Sequence, residues 1–287
     1  MMRRGGALIG LVLCAVAGAP GRSAPIEAPP RRVVSLNPCL DAILLEVADP
    51  GQIAALSRYS REPSQSAVAA AARRFPFTWG SGEEIVALKP DLVLISGAAS
   101  PELRRALPRL HIKAAAFGLP ETVDESLAQV TRVAALVGHP ERGAALNARI
   151  DAAFRAAAPR PGEPRLGALV YEYHGMASGP HTLMDELLRR TGFDNLAPRY
   201  GLRHTTDVPL ERLIADPPQV LLSGRLAPDE PSWADRVLSH PALRTLAPRM
   251  RRETFPETLM FCAGPVMIPA VEALARARGD AERGVSR

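Results

Sequence analysis

Two glutamates occupy matched places in the chain. Glu83 stands four residues before Ala87 and seven before Pro90, ahead of the apolar run Leu92-Val93-Leu94-Ile95 and the pair Ser96-Gly97. Glu211 stands in the same way before Ala215 and Pro218, ahead of Val220-Leu221-Leu222 and Ser223-Gly224. The chemistry open to such a pair is ionic. Two carboxylates, one in each half of a two-lobed molecule, can meet cationic pockets on a partner, where they steer encounter and set register. Each also begins a stretch that reads as helix, and a carboxylate there favours the helix start by ~0.3–1 kcal/mol when exposed. Helix starting alone accounts for either Glu taken singly. The duplication is what points to docking.

The elements that must carry these residues alternate. Arg32 to Leu36 reads as a strand, Leu40 to Val47 as a helix, and Ile53 to Leu56 as a strand. Helices over Glu83–Leu88 and Pro101–Leu107 and strands over Leu92–Ile95 and Ile112–Phe117 follow. Continuous apolar runs between helices predict βαβ units and mostly parallel sheets covered on both faces. Asp124 to Val137 reads as a helix, and a second runs from Pro140 to about Ala158 with Leu146, Ile150 and Phe154 in one stripe. Pro159 to Pro164 breaks it. The alternation then resumes with a strand over Leu166–Tyr171, helices over His181–Thr191 and Glu211–Ala215, and a strand over Val220–Leu222. A helix from Pro265 to Arg278 closes the pattern. The expected architecture is α/β: two Rossmann-like lobes joined by one long helix. The lobes are expected over residues 31–138 and 164–287, with the linking helix over 139–159.

In open α/β sheets, ligands sit beyond the carboxyl ends of the strands. The loops after Leu36, Leu56, Phe75, Ile95, Tyr171, Leu222 and Met260 are therefore expected to line a cleft between the lobes. They carry Pro38, Cys39, Tyr59, Phe77, Trp79, Ser96, Tyr173, His174, Arg225, Phe261 and Cys262. Aromatic residues make up only 5% of the chain, so their gathering in these loops suits a large, flat, mostly apolar ligand. His174 has the chemistry to ligate a metal, though a loop histidine is more often a surface hydrogen-bonding group. Arg225 has a planar fork suited to a carboxylate or phosphate, though a lone Arg is more often solvated.

Composition narrows the classes. The 287 residues are 47% hydrophobic and 23% charged, as in ordinary globular proteins. The net charge of +5 is carried by dispersed Arg, with Lys89 and Lys113 the only lysines. No basic run with interleaved aromatics and no zinc-finger spacing occurs, so no nucleic-acid partner is expected. There is no Gly-x-Ser-x-Gly elbow, His-Glu-x-x-His pair or phosphate loop, so no catalytic residue is assigned. No resident metal or cofactor is expected either.

The amino end reads as an export signal over residues 1–17, with the cut at the latest near residue 24. Arg3 and Arg4 precede the apolar stretch Ala7 to Ala17, which is too short to span a ~30 Å hydrocarbon core. Ala15-Val16-Ala17 offers the cleavage site. Leu13 before Cys14 disfavours lipidation, so soluble release is expected. Cleavage leaves Cys39 and Cys262, which are open to a disulfide in an oxidising compartment or to burial as small apolar side chains.

With these residues in view, the chain resembles the periplasmic substrate-binding proteins of ABC importers for cobalamin, ferric siderophores and haem. The likeness rests on Arg32-Val33-Val34-Ser35-Leu36-Asn37-Pro38, on Ser57-Arg58-Tyr59-Ser60 and above all on the run from Glu83-Glu84-Ile85-Val86 to Pro90-Asp91-Leu92-Val93. Gly138-His139-Pro140-Glu141 and Phe261-Cys262-Ala263-Gly264-Pro265 add to it. The resemblance implies a monomeric periplasmic protein that captures a metal chelate in its cleft and delivers it to a permease. It implies that Glu83 and Glu211 dock in Arg pockets of that permease, and it supports Tyr59 most directly as a ligand contact. Cobalamin and a hydroxamate siderophore stand level. Haem is demoted because no convincing Tyr/His ligand pair is seen, and catecholates because few cleft positions are cationic. The competing reading is a secreted α/β enzyme, a hydrolase or chelatase, using the same cleft.

Overall fold

A computed structural model describes residues 28–96, 99–172, 175–224, 241 and 249–285. The expected signal segment, Tyr173, His174 and Arg225 lie outside the described residues.

The first sheet is built from β1 (Val33–Ser35), β2 (Ile53–Ser57), β3 (Phe77–Thr78), β4 (Leu92–Ser96) and β5 (Ala114–Phe117). Its order is β3-β2-β1-β4-β5, and every pairing is parallel. The crossovers are α1 (Pro38–Val47), a short α2 (Ala69–Ala72), α3 (Gly82–Leu88) and α4 (Pro101–Arg109). Caps set the starts of these helices. Asn37 accepts from the backbone N–H groups of Cys39 and Leu40, with Pro38 preset in the first turn. Ser81 and Ser100 do the same for α3 and α4.

Two antiparallel helices follow, α5 (Val123–Leu136) and α6 (Pro140–Ala157). Gly138, at φ +85°, makes the turn between them in a conformation that glycine adopts freely. The second sheet contains β6 (Leu166–Tyr171), β7 (Met176–Ala177), β8 (Phe193–Asn195), β9 (Thr206–Asp207), β10 (Val220–Ser223) and β11 (Arg251–Thr254). It runs β11-β10-β6-β7-β9, with β8 also on β6. The β11, β10, β6 and β8 pairings are parallel, whereas β7 pairs antiparallel with β6 and β9. Its helices are α7 (Leu183–Arg190), α8 (Leu210–Ala215) and α9 (Met267–Val285).

The fold is thus the α/β, mostly parallel, two-sheet architecture expected, with α6 as the helix between the sheets. The strands alternate their faces strictly. In β4, Leu92 and Leu94 join one apolar cluster while Val93 and Ile95 join another. In β6, Ala168 and Val170 face the same way as Leu92 and Leu94, into the first cluster, while Leu169 and Tyr171 face out into a third. The first cluster contains residues of both sheets and of α1, α5, α6 and α9. The lobes are therefore more than joined by a helix. They share one continuous core, and α6 contributes Leu146, Ile150 and Phe154 to it.

Four strands were not legible in the sequence. β7, β8 and β9 are only two or three residues long. β11 reads Arg-Arg-Glu-Thr, polar because it is an exposed edge strand. Two expected placements change as a result. Phe77 lies within β3 rather than in a loop after Phe75, because the pairing with β2 begins at the Pro76 carbonyl, which accepts from the Leu56 N–H. Phe261 and Cys262 follow a 3-10 turn, Glu257–Leu259, rather than a strand.

The shared core depends on close approach of α5 and α6. A Cβ on Gly143 would sit 2.5 Å from Ala134 Cβ. Gly143→Val is expected to lower the unfolding free energy by about 1–3 kcal/mol through overpacking, read as a lower urea midpoint. An unchanged midpoint would show that the two helices can part without cost.

Candidate functional site

A ligand crevice belongs where strand order reverses, outside the carboxyl ends of the strands. In the first sheet that place lies between β1 and β4. The residues there are Asn37, Pro38 and Cys39 after β1, and Ser96 at the end of β4. Asn37, Cys39 and Ser96 line a recess of about 410 Å³, together with Leu40, Phe117, Gly118, Leu119, Pro120 and Gln129. The loop after β5 is the part the sequence reading left out, although the strand-end rule selects it as well. Its geometry is held from α5: Gln129 donates to the Gly118 carbonyl at 3.0 Å, and Arg132 donates to the Ala116 carbonyl at 3.0 Å while stacking on Phe117. Pro38 is half-buried in the first turn of α1.

The alternative left open for the cysteines is closed: Cys39 and Cys262 form a disulfide, with Cα atoms 5.0 Å apart across 223 residues of sequence. The bridge ties the start of α1, in the first lobe, to the segment ahead of α9, in the second. Phe261 lies beside it, its carbonyl oxygen 3.4 Å from Cys39 Sγ.

Further along the carboxyl edge of the same sheet, beyond β2 and β3, lies an aromatic platform. Tyr59, Phe77 and Trp79 are 44%, 42% and 64% exposed, and Phe261 on the other lobe is 45% exposed. Large aromatic side chains grouped in the open are a mark of a binding surface. Phe77 and Trp79 meet edge to face with centroids 6.4 Å apart. The Arg58 guanidinium stacks on both Tyr59 and Trp79, at 4.3 and 4.2 Å from the ring centroids, and Arg61 stacks on Phe77 at 4.7 Å. Such cation–π contacts keep the side chains in place while leaving other ring faces and guanidinium N–H groups for a ligand. These two arginines are the functional candidates that sequence reasoning missed. Their signal was their place beside Tyr59 in the loop.

Two buried or half-buried carboxylates anchor this platform from beneath. Glu84 accepts from the Thr78 hydroxyl at 2.6 Å and from the backbone N–H groups of Trp79 and Gly80 at 2.8 and 3.2 Å. The Thr78 bond above all, with those backbone bonds, holds its carboxyl below the usual range. Asp41, fully buried in α1, accepts from the Ser57 N–H at 2.8 Å and the Ser60 hydroxyl at 2.5 Å, so it grips the loop on both sides of Tyr59. Burial pushes the Asp41 carboxyl up from 3.8 to about 7, against the pull of hydrogen bonds from Ser35, Ser60 and Ser57.

Glu83 and Glu211 both hold the second position of their short helices, α3 and α8, and both are exposed. Each helix leads into a central strand, β4 beside β1 and β10 beside β6, in matching parallel pairings. Neither carboxylate makes a hydrogen bond or ion pair with the described residues. Their charge is thus free for a partner. Among the described residues, no group of three or more His, Cys, Asp and Glu side chains is placed to hold a metal ion.

Residues 33–248 match the family model described as periplasmic binding protein, and the chain belongs to that family, one of binding proteins rather than enzymes. No curated protein matches the chain in sequence. Solved structures share the fold. The periplasmic heme-binding protein RhuT from Roseiflexus sp. RS-1, without ligand, is 22% identical with a TM-score of 0.66, covering 86% of this chain and 98% of that one. A periplasmic heme-binding protein from Pseudomonas aeruginosa is 20% identical with a TM-score of 0.68, covering 86% and 92%. The vitamin B12 binding protein BtuF of Vibrio cholerae is 17% identical with a TM-score of 0.64, covering 88% and 98%.

The Asp41 carboxyl gives a pH signature. Between pH 3.8 and about 7 the folded chain keeps a proton that the unfolded chain has released, so its contribution to stability falls as pH rises through that window and is flat above it. Asp41→Asn is expected to remove this decline from the difference between the two proteins, measured by urea unfolding from pH 4 to 8. Identical slopes in both would show that Asp41 is ionised throughout.

Proposed function

We propose that this member of the periplasmic binding protein family captures a metal chelate between its lobes and delivers it to the permease of an ABC importer. The observation that carries this reading is the exposed platform of Tyr59, Phe77 and Trp79 with its two stacked arginines, on the carboxyl edge of the same parallel sheet as the recess. Flat rings favour a large chelate with apolar surface, and the guanidiniums favour one that carries carboxylates or other anionic oxygens. Cobalamin and a ferric siderophore lead. Arg58 and Arg61 supply the positive charge whose scarcity in the sequence weighed against anionic chelates, so a catecholate siderophore and haem belong in the same screen. Phe117 and Leu119 in the recess extend the apolar surface, Ser96, Gln129 and Asn37 offer polar contacts there, and Phe261 is the exposed ring proposed from the other lobe. Tyr173, His174 and Arg225 are proposed for the facing wall on their place after β6 and β10.

The docking reading rests on the matched, exposed Glu83 and Glu211, which make no hydrogen bond or ion pair among the described residues. Export by the basic and apolar leader, release as a soluble monomer and a periplasmic site complete it. Lobes that share one core also suit a receptor that closes little on its ligand.

Titration of cyanocobalamin, ferrichrome, ferric enterobactin and haemin against the purified chain, followed by gel filtration and absorbance spectra, tests the class. Retention of none of them would reject the chelate reading. For the chelate retained, Tyr59→Ala and Phe261→Ala are each expected to weaken binding by at least ~2 kcal/mol, about 30-fold. Unchanged affinity in both would move the site elsewhere.

Glu83→Lys/Glu211→Lys is expected to bind the same chelate normally, yet fail to restore uptake in cells lacking the native protein, because like charges would face an Arg-bearing permease. Full uptake with verified export would reduce both carboxylates to helix starts.

A further inference from the structure

The disulfide is not the only tie between the two lobes. The two lobes already share a continuous core, and the segment around Cys262 is held to the first lobe without it. Gly264 donates its N–H to Ser126 Oγ at 2.8 Å. Gly264, at φ +63°, also lies so close to α1 that a Cβ there would meet Ile43 at 2.9 Å. Val266 and Met267 are buried in the shared core. Cys262 and Met260 also pack against that core, which leaves Phe261 as the exposed residue of the short stretch between two 3-10 turns.

We infer that the Cys39–Cys262 bridge is a positioning device for Phe261, which makes ligand capture sensitive to the redox state of the two cysteines. This rests on the proposed ligand site. Cys39 stands at the rim of the recess, in the first turn of α1, where the Asn37 side chain fixes its backbone N–H at 2.9 Å. That rigid turn belongs to the first lobe. Bonding Cys262 to it holds the neighbouring Phe261, whose side chain is 45% exposed, beside Cys39 at the rim of the recess. The contact between the Phe261 carbonyl and Cys39 Sγ is no hydrogen bond while the sulfur is bridged, so the covalent bond is what ties this stretch directly to α1. Both sulfurs belong to half-buried residues within reach of a small dithiol. Reduction breaks the S–S bond and delivers two electrons and two protons to give two thiols, while the dithiol reductant becomes a cyclic disulfide. The shared core keeps the lobes together afterwards. Only the 261–262 segment is released.

Limited chymotrypsin digestion of the full exported chain, oxidised and then reduced with dithiothreitol, tests this without any ligand. Thiol labelling and peptide mapping confirm each state. Cleavage after Phe261 should quicken at least tenfold on reduction, while α5 and α6 stay uncut. Equal protection in the fully reduced chain would overturn the proposal, as would uniform loss across both lobes, which marks a global staple. Cys39→Ser/Cys262→Ser should match the reduced chain. If any of the four chelates binds in the screen above, reduction should weaken it at least threefold in the native chain and not at all in Phe261→Ala. A threefold loss that persists in Phe261→Ala would overturn the positioning role. If none of the four binds, the chelate reading fails and the cleavage measurement still decides the latch.

Discussion

Burial of the inner faces of both sheets against one helical layer is the constraint on which the molecule depends. Leu92 and Leu94 from one side and Val170 and Leu222 from the other reach the same apolar cluster, with α1, α5, α6 and α9 between them. Such a layer cannot be pulled apart without exposing most of its area to water, which is the dominant cost in unfolding a domain. The carboxyl ends of the strands are thereby held on a base set by packing rather than by a loose linker. Packed interiors are not continuously deformable.

The loops at those ends are secured by a repeated device: a carboxylate under a turn. Glu84 collects three donors beneath Trp79, and Asp41 collects two around Tyr59. The costs differ. Glu84 keeps contact with water and ionises readily, whereas Asp41 is wholly buried and holds its proton to about 7. Burying an acid is expensive unless its lone pairs are met. The Ser57, Ser60 and Ser35 contacts meet that need in part, and they order a loop that would otherwise move freely. Exposed rings above and polar clamps below let the platform stay open to solvent and still keep one shape.

Much of this was legible before any coordinates. The central strands carry period-free apolar runs bounded by Pro and Gly, and their ends fall within a residue or two of expectation. The doubled Glu cassette correctly marks two equivalent helix-to-strand units in two sheets. The illegible parts share a cause: they depend on distance in space rather than on local pattern. The union of the two cores joins residues more than 100 positions apart. Arg58 and Arg61 look like any solvated Arg until the rings of Tyr59, Phe77 and Trp79 are placed beside them. The strand at Arg251–Thr254 is polar because it lies at the edge of the described sheet and is mostly exposed. Gly118 to Pro120 was missed for a different reason, since the rule that selects it was available and only the other strands were followed to their ends.

The bridge between Cys39 and Cys262 also has a place in time. Synthesis runs from the amino end, so Cys39 is made 223 residues before its partner. By then every described strand of both sheets, from Val33 to Thr254, has already emerged. A thiol that waits so long meets its mate only if the sheets and the helices between them have begun to assemble. The bond is therefore a seal on a nearly finished chain rather than a guide to its folding. Its formation would report, one molecule at a time, that the two halves have found each other.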